Sequence, residues 1–298
     1  MIIEILLLAS ALIGTAAGGW IDLKTTEIPD IVPLSMVIAG VVLHTANGLT
    51  GGSFEGLVSA IIVGAIYLAL GYVLYYTGQW GEADVLLLAA TGFLIPQPLS
   101  FFNIITTKEI YPILFLMNTF IVGGIYSLIY SGILASRNPE IFTNYWKDIA
   151  KNRNKIMTAI AAFTIAMLGL TYILSYMADI YITTSLIATQ LIFFVPMAAA
   201  LILMYRFALV LDNTAFKRKI PASRLREGDV LAENVELKGT TLSGKLFIGL
   251  TVDQIRLIKK ERRHVSIKEG IRYGPTFFLS ILFTWFFGNS IIMIFGWI

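Results

Sequence analysis

Two short segments set carboxylates beside long apolar runs. One reads Gly18-Gly19-Trp20-Ile21-Asp22-Leu23-Lys24-Thr25-Thr26-Glu27-Ile28-Pro29-Asp30, the other Gly78-Gln79-Trp80-Gly81-Glu82-Ala83-Asp84-Val85-Leu86. Two carboxyls that share a site do not both ionise easily, so one keeps its proton. The ionised partner can then take a proton from water while the protonated one polarises a carbonyl, which is general acid–base hydrolysis without a covalent intermediate. Such a pair titrates as a unit. Spacing and charge alone do not choose the pair. Glu82 stands two residues from Asp84, and Glu27 and Asp30 follow Asp22 closely. Each acid also has an ordinary explanation: Asp22 as a solvated boundary residue, Asp84 as a carboxylate favoured at the start of a helix by its dipole.

Other chemistries have little to work with. The chain contains no cysteine, which excludes disulfides, iron–sulfur clusters and thiolate zinc sites. Its two histidines, His44 and His264, lie in different contexts, so a multi-histidine metal site is not expected. No metal, cofactor or nucleic-acid partner is expected. His44, near the far end of an apolar run, is assigned no role.

The elements that must position the acids are membrane helices. Of 298 residues, 57% are hydrophobic and 14% charged, whereas a soluble domain is roughly a quarter charged. A bilayer core of about 30 Å takes roughly 20 apolar residues as a helix. Candidate spans run at about 2–21, 31–47, 55–77, 84–96, 110–135, 156–178, 183–211 and 275–297. The fourth is short and stops at Pro96. The expected fold is an all-α polytopic membrane protein of about eight transmembrane helices, with a small cytosolic α+β insert before the last helix. The runs are continuously apolar rather than alternating, which argues against a β-barrel. The expected organisation is a transmembrane core at 1–211, a basic insert at 212–273 and a final helix at 274–298.

Orientation follows the Lys and Arg residues. With the N-terminus outside, the segments near 22–30, 78–83, 136–155 and 212–273, with Arg206, hold every basic residue except Lys108. Asp22 and Asp84 then share the cytoplasmic side. Glu109 and Asp179 read as outer boundary residues, and Trp20 and Trp80 as interfacial anchors. The first run lacks the basic start of a secretory signal and is read as a retained helix. Within the insert, Val230-Leu231-Ala232 and Lys245-Leu246-Phe247-Ile248 suggest short strands. Thr251 caps an expected helix to Lys260. The insert's positive charge would hold it near an anionic lipid surface.

Asp22 through Asp30 resembles the segment after the first helix of the prepilin peptidase superfamily: aspartate, a basic residue two places on, then isoleucine-proline and an acid or amide. Gly81-Glu82-Ala83-Asp84 resembles that superfamily's glycine-x-glycine-aspartate motif, and Leu87-Leu88-Ala89-Ala90-Thr91-Gly92 extends the likeness. The resemblance implies an aspartyl endopeptidase in which Asp22 and Asp84 are the catalytic pair. Gly81, Glu82 and Ala83, with Glu27 and Asp30, are the candidate substrate contacts. The implied substrate is an archaeal prepilin or preflagellin precursor with a class III-type signal peptide, cut at the cytoplasmic membrane boundary. The implied partners are that precursor and the lipid bilayer; oligomeric state stays open.

Two departures matter. Ala83 replaces the second glycine, and Leu86 stands where many bacterial members have lysine. Without the cysteine-rich segment of many bacterial members, the chain resembles the archaeal peptidase-only branch, so no N-methyltransferase activity is expected. Two alternatives compete. A presenilin-like protease would show tyrosine-aspartate and a later proline-alanine-leucine, but Ile21 precedes Asp22 and that tripeptide is absent. A proton- or ion-coupled transporter would more often place its acids in paired broken helices near the midplane.

Overall fold

The computed structural model describes residues 2–51, 53–102, 108, 110–177, 183–237, 240–244, 249–268 and 270–288. In chain order the helices are α1 (Ile2–Thr25), α2 (Ile31–Gly51), α3 (Glu55–Tyr76), α4 (Glu82–Leu94), α5 (Tyr111–Arg137), α6 (Pro139–Met177), α7 (Thr184–Thr214), α8 (Val252–Glu261) and α9 (Pro275–Phe287). The short strands are β1 (Lys217–Pro221), β2 (Val230–Leu231), β3 (Val235–Leu237), β4 (Thr240–Leu242) and β5 (His264–Lys268). Among the described residues, six helices, α1, α2, α3, α5, α6 and α7, are long and apolar enough to cross a membrane. The chain is an all-α polytopic membrane protein with a small α+β insert before its last helix.

The expected count of about eight spans is matched by length at six positions. Helices α4 and α9 have 13 residues each, about 20 Å at 1.5 Å per residue, short of a full crossing. Beyond Gly288 the expected last span lies outside the described residues, as do Glu109, Asp179 and the Lys245–Ile248 strand. Most of the basic stretch 136–155 is helical: Arg137 ends α5, and α6 starts at Pro139 and runs 39 residues, about 58 Å, well beyond bilayer thickness. No glycine or internal proline interrupts it before Gly169.

The chain divides into two compact units, Met1–Tyr130 with Leu225–Arg262 and Gly270–Ile298, and Ser131–Arg224 with Arg263–Glu269. In the first unit, α1, α2 and α3 all pack on α4. Val85, Leu87, Leu88, Ala89, Ala90, Thr91, Gly92 and Leu94 of α4 are buried, which leaves it almost no lipid-facing side. A helix enclosed by protein need not match the bilayer. Its end is satisfied internally: His44 Nε2 reaches the Leu94 carbonyl oxygen at 3.3 Å, one of the carbonyls a helix terminus leaves without a partner. His44 thus has a structural place remote from the acids.

In the insert part of this unit, Thr251 caps α8 as expected. Its Oγ1 accepts from the Gln254 N–H, and the Gln254 side chain accepts from the Thr251 N–H at 3.0 Å, a capping box. Strands β3 and β4 form an antiparallel pair with Val235 opposite Leu242.

The second unit is built on the α6–α7 pair. Ala135, Ile141, Val210 and Leu211 form its buried cluster, and Arg206 grips Asp148 with two nitrogens, Nε at 2.7 Å. The Lys217-Arg218-Lys219 run lies in β1, antiparallel to β5 with Lys217 opposite Lys268. Lys268 pairs with Asp212 at 2.7 Å.

Candidate active site

The site lies within the first unit and starts from a stripe on α1. Leu7, Leu8, Ala11, Thr15, Gly18, Gly19 and Asp22 are its buried residues, spaced by three or four as one helical face requires. Asp22 is the last of them, 7% exposed, whereas Leu23, Lys24 and Thr25 face outward. The helix closes with the Thr26 N–H on the Asp22 carbonyl at 2.9 Å. Thr26 then takes a positive φ of 65°, costly for a β-branched residue.

Asp84 is delivered by the start of α4. Helix α3 ends at Thr77, and Gly78 (φ 73°) turns the chain in the left-handed conformation that glycine tolerates. Gly81 is the N-cap of α4, and its N–H donates to Asp84 Oδ2 at 3.1 Å. Asp84 therefore does fulfil the helix-start role that its position suggested. That role leaves room for another, because a carboxylate has acceptor capacity beyond one N–H.

One helical turn deeper, α1 meets α4. A Cβ on Gly18 would lie 3.3 Å from the Leu87 side chain. Gly18 is four residues before Asp22 and Leu87 three after Asp84, so on helices with this contact the two acids sit one turn away on the facing sides. The Asp84 carboxyl is close enough to Asp22 to feel its charge. Asp22 is buried and Asp84 half-buried, while Glu27, Asp30 and Glu82 are exposed. Glu27 is engaged with Arg226 of the insert at 3.4 Å. Ala83 is half-buried and packs against the main apolar cluster, so its methyl is accommodated by packing.

The two tryptophans divide. Trp20 is 61% exposed with Lys24 Nζ 4.5 Å from its ring centroid, as an interfacial anchor would be. Trp80 is half-buried instead. Its ring packs on Phe120 (5.8 Å between centroids), Tyr273 (5.4 Å) and Phe277 (5.7 Å). Aromatic partners from α5 and α9, remote in sequence, replace the membrane interface as its environment.

The segment leading into α9 was not singled out from sequence, and it closes the site. Gly274 N–H donates to Asp22 Oδ2 at 2.8 Å. Arg272 donates to the Leu23 carbonyl, and its charge reaches Asp22. Tyr126 of α5 donates to the Arg272 carbonyl at 2.8 Å. Burial, and then the Asp84 charge, push the Tyr273 phenol above its ordinary range, so it stays a neutral hydroxyl. Only Gly274-Pro275, a helix-start signal, marks this place in the sequence.

Residues 6–128, which carry both aspartates, match the type IV leader peptidase family. A protein named prepilin peptidase EppA from Methanothermobacter thermautotrophicus is 23% identical over 269 residues, 87% of this chain and 65% of that protein. A protein named preflagellin peptidase from Methanococcus voltae is 32% identical over 89 residues, 30% of this chain and 38% of that protein. The chain therefore spans less than two thirds of the length of either relative. No solved structure matches it. Asp22 and Asp84 both lie within the residues that match the type IV leader peptidase family.

Proposed function

We propose that this protein is a membrane-embedded aspartyl endopeptidase that removes the class III-type signal peptide from prepilin- or preflagellin-like precursors. The observation that carries the reading is the α1–α4 contact at Gly18 and Leu87, one turn from Asp22 and Asp84, the least exposed acids of the two motifs, within the stretch that matches the leader peptidase family.

The chemistry needs one ionised and one protonated carboxyl. The ionised one takes a proton from a water molecule as its oxygen attacks the scissile carbonyl carbon. The protonated one gives its hydrogen to the carbonyl oxygen. The tetrahedral intermediate then returns its hydroxyl proton to the second carboxyl as the C–N bond breaks, and the leaving amine takes the proton held by the first. The Lys and Arg distribution supports an outside N-terminus and a site near the cytoplasmic face. A substrate helix would lie among the spans with its polar junction extended beside the two acids, where irregular backbone is tolerated because it is enclosed or wet. Gly81, Glu82 and Ala83, with Glu27 and Asp30, are the proposed substrate contacts; the Arg226 ion pair makes Glu27 available only after exchange.

The test is cleavage of a tagged prepilin or preflagellin by the purified full chain in detergent, read as a size shift. Wild type cleaves, and Asp22→Asn and Asp84→Asn each abolish cleavage with unchanged melting. Glu82→Gln keeps activity, and chelators have no effect. The rate falls on both sides of its pH optimum, because acid protonates both carboxyls and alkali ionises both. The cleaved product acquires no methyl group from a labelled methyl donor. Full activity in either asparagine variant rules out the pair.

A further inference from the structure

We propose that Arg272 and Gly274 are positioning residues for this site, a third element supplied from the far end of the chain and set against Asp22. The inference rests on the aspartate-pair reading and extends it beyond the two motifs, since residues 272–274 lie outside residues 6–128, which match the type IV leader peptidase family.

Three contacts place the segment. The Gly274 N–H reaches Asp22 Oδ2 at 2.8 Å across 252 positions of sequence. A Cβ on Gly274 would lie 3.0 Å from both Asp22 Cβ and Oδ2 and 3.2 Å from Gly19 Cα. Residue 274 therefore touches the carboxylate with its N–H, and a Cβ there would fit only if Asp22 gave way by a few tenths of an ångström. Arg272 binds the carbonyl of Leu23, the residue after Asp22, and so ties the end of α1 to the start of α9 while setting a positive charge near the carboxylate.

Tyr273, between them, fixes the segment from the other side. Its ring packs at a tilt on Trp80 and edge-on against Phe277, and its hydroxyl fills space that any side chain at Gly123 of α5 would occupy. The charged and titratable groups around Asp22 are Asp84 from α4, Tyr126 from α5 and Arg272; Tyr273 faces Asp84. Arg272 is the one cation among these described neighbours. A backbone N–H and a cation both favour a charged carboxylate. The physical role of the segment is to hold Asp22 in one orientation and to set the acidity at which the pair is half-protonated.

The experiment compares wild type, Arg272→Met, Arg272→Lys and Gly274→Ala in the full-length protein, with kcat and KM for precursor cleavage across pH and melting in detergent. For Arg272→Met the acidic limb of the kcat profile moves to higher pH by about half to one unit, because ionisation becomes harder without the cation. Arg272→Lys, which keeps the charge, restores the limb to within a few tenths of a unit. Gly274→Ala lowers kcat several-fold, to about tenfold, with KM near wild type, since the methyl shifts the carboxylate by a few tenths of an ångström while charge is unchanged. Arg272→Met and Arg272→Lys profiles superimposable on wild type, differing only in height, overturn the role of Arg272. An unaltered kcat in Gly274→Ala overturns the role of Gly274. These outcomes are separate from failure of the pair itself, which would appear as cleavage by Asp22→Asn or Asp84→Asn.

Discussion

Replacing Gly19 by alanine isolates the contact on which the site geometry depends. A Cβ there would stand 2.8 Å from Pro275 Cα, 2.9 Å from Pro275 N and 3.2 Å from the Gly274 carbonyl carbon. Non-bonded carbons prefer about 3.5–4.0 Å, so the start of α9 must withdraw by roughly 1 Å. All three atoms are backbone, and no side-chain rotation relieves the clash. The withdrawal carries Gly274 with it and stretches its 2.8 Å hydrogen bond to Asp22 toward about 3.6 Å, where it no longer counts as one. Overpacking of this kind costs about 1–3 kcal/mol, and a displacement of about 1 Å at a catalytic group costs on the order of a hundredfold in rate. Gly19→Ala should therefore melt lower than wild type in detergent and cleave a tagged precursor on the order of a hundredfold more slowly, with KM little changed. A variant that melts lower yet cleaves at the wild-type rate would refute the link between the α1–α9 contact and Asp22. Wild-type melting would refute the packing argument itself.

Other substitutions separate structural from chemical roles. Asp84→Asn keeps an oxygen that accepts the Gly81 N–H and should melt near wild type, whereas Asp84→Ala loses that acceptor at about 0.5–1 kcal/mol; both should be inactive in the cleavage assay. Thr251→Ala removes the side-chain oxygen that caps α8, costs about 1 kcal/mol, and should raise hydrogen exchange of the first-turn amides of α8 several-fold. Asp148→Leu strands Arg206 at a site where the pair is only 20% and 24% exposed, and unfolding should show a loss of about 1–3 kcal/mol, part of it recovered when Arg206→Leu is added. Asn118→Leu removes bonds to Thr284 Oγ1 at 3.0 Å and the Gly288 carbonyl at 2.8 Å, worth about 0.6–1.7 kcal/mol in a membrane protein.

Sequence alone determined the apolar helices, because continuous runs of about 20 apolar residues have one stable state in a bilayer. It also determined the insert's capped helix, since Thr251 and Gln254 satisfy each other locally, and it nominated both aspartates from local motifs. Among those helices, only packing could say that α4 is enclosed by α1, α2 and α3 and can remain short. The same holds for Trp80, whose partners Phe120, Tyr273 and Phe277 lie far along the chain. Packing also separated the acids of the first motif by burial, since the buried stripe of α1 ends at Asp22 while Glu27 and Asp30 are exposed. A backbone N–H has no sequence signature of its own, so the Gly274 contact with Asp22, 252 positions away, existed only once α9 was laid against α1.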